Sequence, residues 1–167
     1  MLLSQIPSGA QVMIDANIFL YAHEDDPTLG PPCEDFLRRV AQGDVEGYTA
    51  TSIIAEVTHR VMCSEAIRVH GLTPRNVVAT LKSQPDLVKS LTEHLTLVEH
   101  ILAMNVVILS VTRDVLITSR SYRQTHGFLS NDSLTLAVME AHGLTALATH
   151  NGDFDRVPTV PTYKPAP

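Results

Sequence analysis

The sequence predicts an α/β domain on a mostly parallel sheet, and two observations carry that prediction. Short continuous apolar runs recur along the chain, the pattern of parallel strands covered on both faces. Stretches of helical periodicity lie between them, and alternation of this kind is how α/β folds are written. The length, 167 residues, suits one domain with a real hydrophobic core. No internal repeat or low-complexity linker divides it.

The elements follow in order. Val12-Met13-Ile14 reads as the first buried strand. Pro31 and Pro32 open a helix carrying Phe36, Leu37 and Val40, since proline suits the first helical turn. Tyr48-Thr49-Ala50 is a weaker strand, followed by a helix capped by Ser52 and carrying Ile53, Ile54, Val57 and Val61. Thr73-Pro74 is a cap with proline at the first helical position, leading into Val77, Val78 and Leu81. From Asp86 to Met104 the pattern Leu87, Leu91, Leu95, Val98, Leu102 predicts one long helix. Val106-Val107-Ile108-Leu109 is a strand, and Thr112 or Arg113 opens the next helix, with Val115, Leu116 and Ser119. Asn131 caps the last clear helix, in which Leu134, Ala137, Val138 and Ala141 share a face, and Gly143 ends it. Ala146-Leu147-Ala148 is the final buried strand. The domain is placed at residues 1–157. The tail 158–167 carries four prolines and is expected to be extended.

Composition narrows the function. The chain is 44% hydrophobic and 18% charged, ordinary for a globular protein and wrong for a disordered one. No apolar run approaches a membrane span, and the start MLLSQIPSGAQ lacks the basic region of a signal peptide. Cys33 and Cys63 are too few for a disulfide framework, so free thiols in the cytoplasm are expected. A formal net charge of −6 argues against a protein that merely coats nucleic acid, because phosphate affinity rests on Lys and Arg. It does not exclude an enzyme whose acidic groups are neutralised by bound cations.

Chemistry in parallel sheets is done near the carboxyl ends of strands; of four acidic residues, two follow predicted strands and two open helices that could begin on the same side. Asp15 directly follows the first strand, although it also suits a helix N-cap. Glu56 interrupts the apolar run of its helix one turn after a strand end. It would lean back toward that end, or pair with Arg60 at i+4 for only about 0.3–0.5 kcal/mol. Asp132 lies in the first turn of its helix, where the macrodipole favours it. Asp153 follows the last strand and the polar string Thr149-His150-Asn151-Gly152, where a turn aspartate is also ordinary. Should they converge, repulsion is severe: two unit charges about 4 Å apart cost on the order of 4 kcal/mol at an effective dielectric near 20. Protonation, basic partners or cations must offset it, and oxygen ligands select hard ions such as Mg²⁺ or Mn²⁺.

At these residues the sequence resembles a PIN domain. MIDANIFLYA resembles the opening strand with its aspartate, Asp15, and TSIIAEVTHRV the second motif with Glu56. LSNDSLTLAVMEAHGL resembles the third, with Asp132. LATHNGDFDRV resembles the last, with Thr149, Asn151 and Asp153 at its polar positions. The motifs arrive in family order over Val12 to Val157.

The resemblance implies a three-layer α/β/α fold with four or five strands, a divalent-metal site and RNA cleavage. It also implies the toxin of a type II toxin–antitoxin pair, held inactive by a small antitoxin and commonly a homodimer. Asp15, Glu56, Asp132 and Asp153 would be the catalytic and metal residues, with Asn17, Thr149 and Asn151 in support. Relatives often carry aspartate where Asn151 stands, which leaves Asp155 as the alternative metal contact. Arg120 and Arg123 precede the third motif and could meet RNA phosphates, or form a solvated helix face. Two rival readings remain: a Mg²⁺-dependent phosphohydrolase, whose aspartate motif Asp15-Ala16-Asn17 only half fits, and a non-catalytic PIN-like domain that binds a partner.

Overall fold

The computed structural model describes residues 1–24 and 26–166. Each apolar run forms a strand: β1 (Gln11–Ile14), β2 (Glu46–Ala50), β3 (Val106–Leu109) and β4 (Ala146–Ala148). A fifth, β5 (Thr162–Tyr163), comes from the proline-rich tail. All pair in parallel, in the order β3-β2-β1-β4-β5. Eight helices connect them: α1 (Ala16–His23), α2 (Gly30–Ala41), α3 (Thr51–His70), α4 (Val77–Ser83), α5 (Pro85–Ser90), α6 (Glu93–Ala103), α7 (Arg113–His126) and α8 (Ser130–Ala141). The flanking helices make three layers with the sheet. Val12, Met13 and Ile14 in β1 and Leu147 and Ala148 in β4 are fully buried, as central strands covered on both faces must be. Gly47 in β2 is required by close packing: a Cβ there would stand 2.6 Å from Val40 of α2 and 2.9 Å from Ile14.

This strand order decides where a site can form. The chain lays β1, β2 and β3 outward on one side, then returns to place β4 on the other side of β1. The carboxyl ends of β1 and β4 therefore flank the topological switch point, where parallel sheets open a crevice. Both ends of that crevice are fixed by register, with Ile14 opposite Ala148 and the Asp15 N–H donating to the Ala148 carbonyl at 3.0 Å. Because α3 follows β2 and α8 precedes β4, both helices have their N-termini on the same side.

Several local expectations are corrected. β3 is an edge strand, so Val107 is 48% exposed instead of doubly covered. The tail is extended as expected, but Thr162 and Tyr163 pair with Leu147 and Ala148, and Leu2 bridges Lys164 beyond them. Pro167, the last residue of that tail, lies outside the described residues. Thr73-Pro74 forms a turn in which Asn76 Oδ1 accepts the Thr73 N–H at 2.8 Å, and the helix begins only at Val77. Ser52 does not cap α3: β2 runs into the helix without a loop and Ala50 takes the cap position.

The long helix over 86–104 is broken. Leu91 turns inward to a second, smaller core with Ala66, Val77 and Leu81. The new helix start is held from α3: the buried Glu65 carboxylate accepts the Thr92 N–H at 3.0 and 3.1 Å and the Glu93 N–H at 3.0 Å. The break resets the helical phase, so α6 buries Leu97 and Ile101 and exposes Leu95 and Leu102.

Candidate metal centre

At the switch point Asp15, Asn17, Glu56, Asp132 and Asn151 line one cleft of about 220 Å³. Asp15 is the most constrained. It ends β1, caps α1, and is only 8% exposed. Its Oδ1 accepts the Ala16 N–H at 2.8 Å, and its Oδ2 accepts Thr149 Oγ1 at 2.6 Å and Asn17 Nδ2 at 2.5 Å. The capping and site readings of Asp15 are thus one arrangement. Thr149, fully buried behind the cleft, also accepts the Asn151 N–H at 3.0 Å. Asn17 Oδ1 accepts the His150 N–H at 2.9 Å. These bonds bind the loop after β4 to the loop after β1.

Asp132 projects from the first turn of α8, and Asn151 Nδ2 donates to it at 3.4 Å. Glu56, from the second turn of α3, accepts Asn131 Nδ2 at 2.8 Å. The expectation that Asn131 caps α8 is corrected: Leu129 holds that position and the Asn131 side chain reaches across to α3.

Electrostatics reflect this crowding of acids. Burial raises the Asp15 carboxyl above the usual carboxylate range, and Glu56 adds to the rise. Hydrogen bonds from Thr149, Ala16 and Asn17 oppose it. The Asp132 carboxyl is pushed up to about 6, first by burial and then by the charges of Asp15, Asp153 and Glu56. Acids with raised pKa values grouped around a cleft are a signature of functional sites.

The remaining expected residues lie outside the cleft lining. Asp153 stands close enough to act on Asp132, but its carboxylate accepts Arg156 at 2.6 Å and is 45% exposed. Asp155 accepts Lys164 Nζ at 2.7 Å and is outside the cleft lining, so of these two alternative metal contacts the one at the cleft is Asn151. Arg120 is exposed on α7, whereas Arg123 donates to Ser119 Oγ at 3.0 Å and Ser133 Oγ at 2.9 Å, joining α7 to α8.

Tyr21, Arg60 and His150 also line the cleft and were not singled out as site residues in the sequence. The i+4 spacing of Arg60 from Glu56 was the available signal for one of them. The polar string after β4 was the signal for His150, and Tyr21 left none.

Among the described residues, no three His, Cys, Asp or Glu side chains stand close enough to clasp one ion directly. The donor set still fits a hydrated hard cation. Mg²⁺ keeps several waters and takes only one or two carboxylates. The lining acids supply only oxygen donors, and the Asp132 carboxyl, raised first by burial and then by its acidic neighbours, is one a cation would stabilise in its charged form.

Comparison with known proteins agrees with this architecture. The family model for the PIN domain matches residues 12–160. Among solved structures, VapBC2 from Rickettsia felis, bound to a DNA fragment from its promoter, aligns at 16% identity and TM-score 0.58, covering 92% of this chain and 98% of that one. A toxin–antitoxin complex from Klebsiella pneumoniae aligns at 15% identity and TM-score 0.57, covering 92% and 97%. Mycobacterium tuberculosis VapC20, a sarcin–ricin-loop-cleaving toxin, aligns at 16% identity and TM-score 0.57, covering 86% and 92%. At these identities the likeness shows a shared fold. No curated protein matches the sequence.

Proposed function

This chain belongs to the PIN domain family, and from that premise we propose that it is a divalent-metal-dependent endoribonuclease, the toxin of a type II toxin–antitoxin pair. The observation that supports the reading most is the meeting of Asp15, Glu56 and Asp132, remote in sequence, around one cleft at the switch point of the sheet. The structural neighbours include toxin–antitoxin complexes, which supports a small antitoxin as partner, and one is named as a sarcin–ricin-loop-cleaving toxin. A homodimer in the cytoplasm is part of the same proposal. Among the described residues no helix is long and apolar enough to cross a membrane.

In the proposed mechanism, Asp15 and Asp132 would hold Mg²⁺ or Mn²⁺ directly or through water, and an ion bound there would lower the pKa of a water and offset charge on the phosphate. Thr149, Asn17 and the Ala16 N–H fix the Asp15 carboxylate so that it does not reorganise when substrate arrives. Glu56, held by Asn131, faces the cleft and would orient the attacking water. Asn151 holds Asp132 through its amide, and its own carbonyl oxygen accepts the Asp153 N–H at 2.9 Å, keeping the loop closed. Asp153, paired with Arg156, acts from outside this ring or helps hold a second ion. Water adds across the P–O bond, leaving one phosphate monoester and one alcohol.

The test is cleavage of single-stranded RNA by the purified chain with Mg²⁺ or Mn²⁺. Asp15→Asn and Asp132→Asn are each expected to reduce cleavage at least about 10³-fold, roughly 4 kcal/mol in barrier, with folded circular dichroism spectra. Undiminished cleavage by either folded variant would defeat the mechanism. Phosphate release from small esters without RNA cleavage would instead favour the phosphohydrolase.

A further inference from the structure

The acidic floor of the cleft has a wall of different chemistry. Arg60 is the only Lys or Arg among the residues lining it. Among the described residues its carboxylate neighbour is Glu56, 4.0 Å away and already engaged by Asn131, and Arg60 makes no hydrogen bond there. Its side chain is 54% exposed and lines the cleft, where it can meet a ligand. Beside it Tyr21 and His150 form an edge-to-face pair, ring centroids 5.5 Å apart at 85°. His150 is exposed, Tyr21 is half-buried behind it, and the His150 backbone is tied to Asn17. The three are contiguous: burial raises the Tyr21 hydroxyl, and the Arg60 charge is the largest influence opposing that rise.

Building on the nuclease reading, we infer that Arg60, Tyr21 and His150 form the substrate wall of the cleft and select an unpaired nucleotide. His150, braced edge-on by Tyr21, stacks on an exposed base, and the Arg60 guanidinium binds the adjoining phosphate. In a chain of net charge −6, RNA affinity needs such local contacts. Stacking is tolerant of sequence because every base has a π-face, but it needs a base out of its pair. Arginine binds the phosphate oxygens in a fixed, bidentate geometry. Single-stranded RNA, or structured RNA with an extruded base, fits this wall, and a continuous duplex does not.

The experiment measures binding of a fluorescein-labelled single-stranded RNA hexamer with Ca²⁺ in place of Mg²⁺, the probe being verified intact afterwards. Arg60→Gln and His150→Ala are each expected to weaken binding about tenfold. Arg60→Gln also lowers the slope of log affinity against log salt by about 0.7, one phosphate contact on a single strand, and Arg60→Lys restores most of it. His150→Ala leaves that slope unchanged, and His150→Phe restores affinity. The His150→Ala backbone still reaches Asn17, so folding is preserved. A blunt duplex of the same sequence binds at least about tenfold more weakly than the single strand. Affinity for Mn²⁺ alone, measured by calorimetry, does not fall in any variant. Binding within twofold of the parent in Arg60→Gln and His150→Ala, or equal binding of duplex, overturns the wall while leaving a Mg²⁺-dependent nuclease intact. Loss of RNA binding in these variants of a parent that never cleaves RNA supports the wall and defeats the nuclease reading.

Discussion

Two carboxylates are buried almost equally in this molecule, and their surroundings could hardly differ more. Glu65, 6% exposed in the smaller helical core, meets three hydrogen bonds from backbone N–H groups at the start of α6. Its charge serves the unpaired donors and the positive end of a helix, which is a structural use. Asp15, 8% exposed at the switch point, takes one backbone donor and two side-chain donors, with Glu56 and Asp132 facing the same space. Its charge is held but opposed. Both acids are met by donors, and what sets Asp15 apart is the company of other acids, which is why the proposed reading puts a cation there and not at Glu65.

The sharpest way to break this contrast is to mutate each region and read both stability and activity. Glu65→Ala removes a charged acceptor from buried backbone donors and is expected to cost about 2–3 kcal/mol of stability, with RNA cleavage per folded molecule unchanged. Asp132→Asn is expected to abolish cleavage yet keep or slightly raise the stability of the metal-free protein at pH 7, because it relieves repulsion. Denaturant melts beside cleavage assays check both, and a large stability loss in Asp132→Asn would erase the distinction.

A smaller effect sharpens it through pH. The folded pKa of Asp132 lies above its ordinary value of 3.8, at about 6. The folded state therefore binds more protons than the unfolded one between those values. Its contribution to metal-free stability is present below about pH 4 and is lost as pH rises through about 6. Saturating Mn²⁺, at 100 times its dissociation constant, should restore about 2.7 kcal/mol at pH 7. That gain should shrink below about pH 6, where Asp132 is protonated. Thermal melts with and without Mn²⁺ across pH 4–8 test this; a gain that does not depend on Asp132 would count against the cleft as the cation site.

The smallest effect separates Asp153 from the ring. Its partner Arg156 is exposed, so Arg156→Ala should change stability by no more than about 1 kcal/mol. If Asp153 acts from outside the ring, Asp153→Asn should lower cleavage less than Asp15→Asn does. An equal loss would move Asp153 into direct contact with the ion.

Much of this was legible in the residues. Four of five strands were read from apolar runs, and Asp15, Glu56 and Asp132 were placed at strand or helix ends on local grounds. β5 was hidden because Thr162 and Tyr163 carry no apolar run of their own and are strand only by pairing with β4. The break before α6 was hidden because an unbroken leucine pattern runs through it, while the carboxylate that holds the new helix start lies 27 residues away on α3. Asn131 looked like a cap because its partner, Glu56, is 75 residues distant.

The sequence by itself determined the alternation of buried strands with amphipathic helices, and the acids that follow them, because periodicity reports local burial. Only the tertiary structure decided that β1 lies beside β4 and that Arg60, Tyr21 and His150 face the acids across one cleft. Strand neighbours are chosen by pairings such as Val12 with Ala146, between residues far apart in the chain, and local pattern carries no record of them.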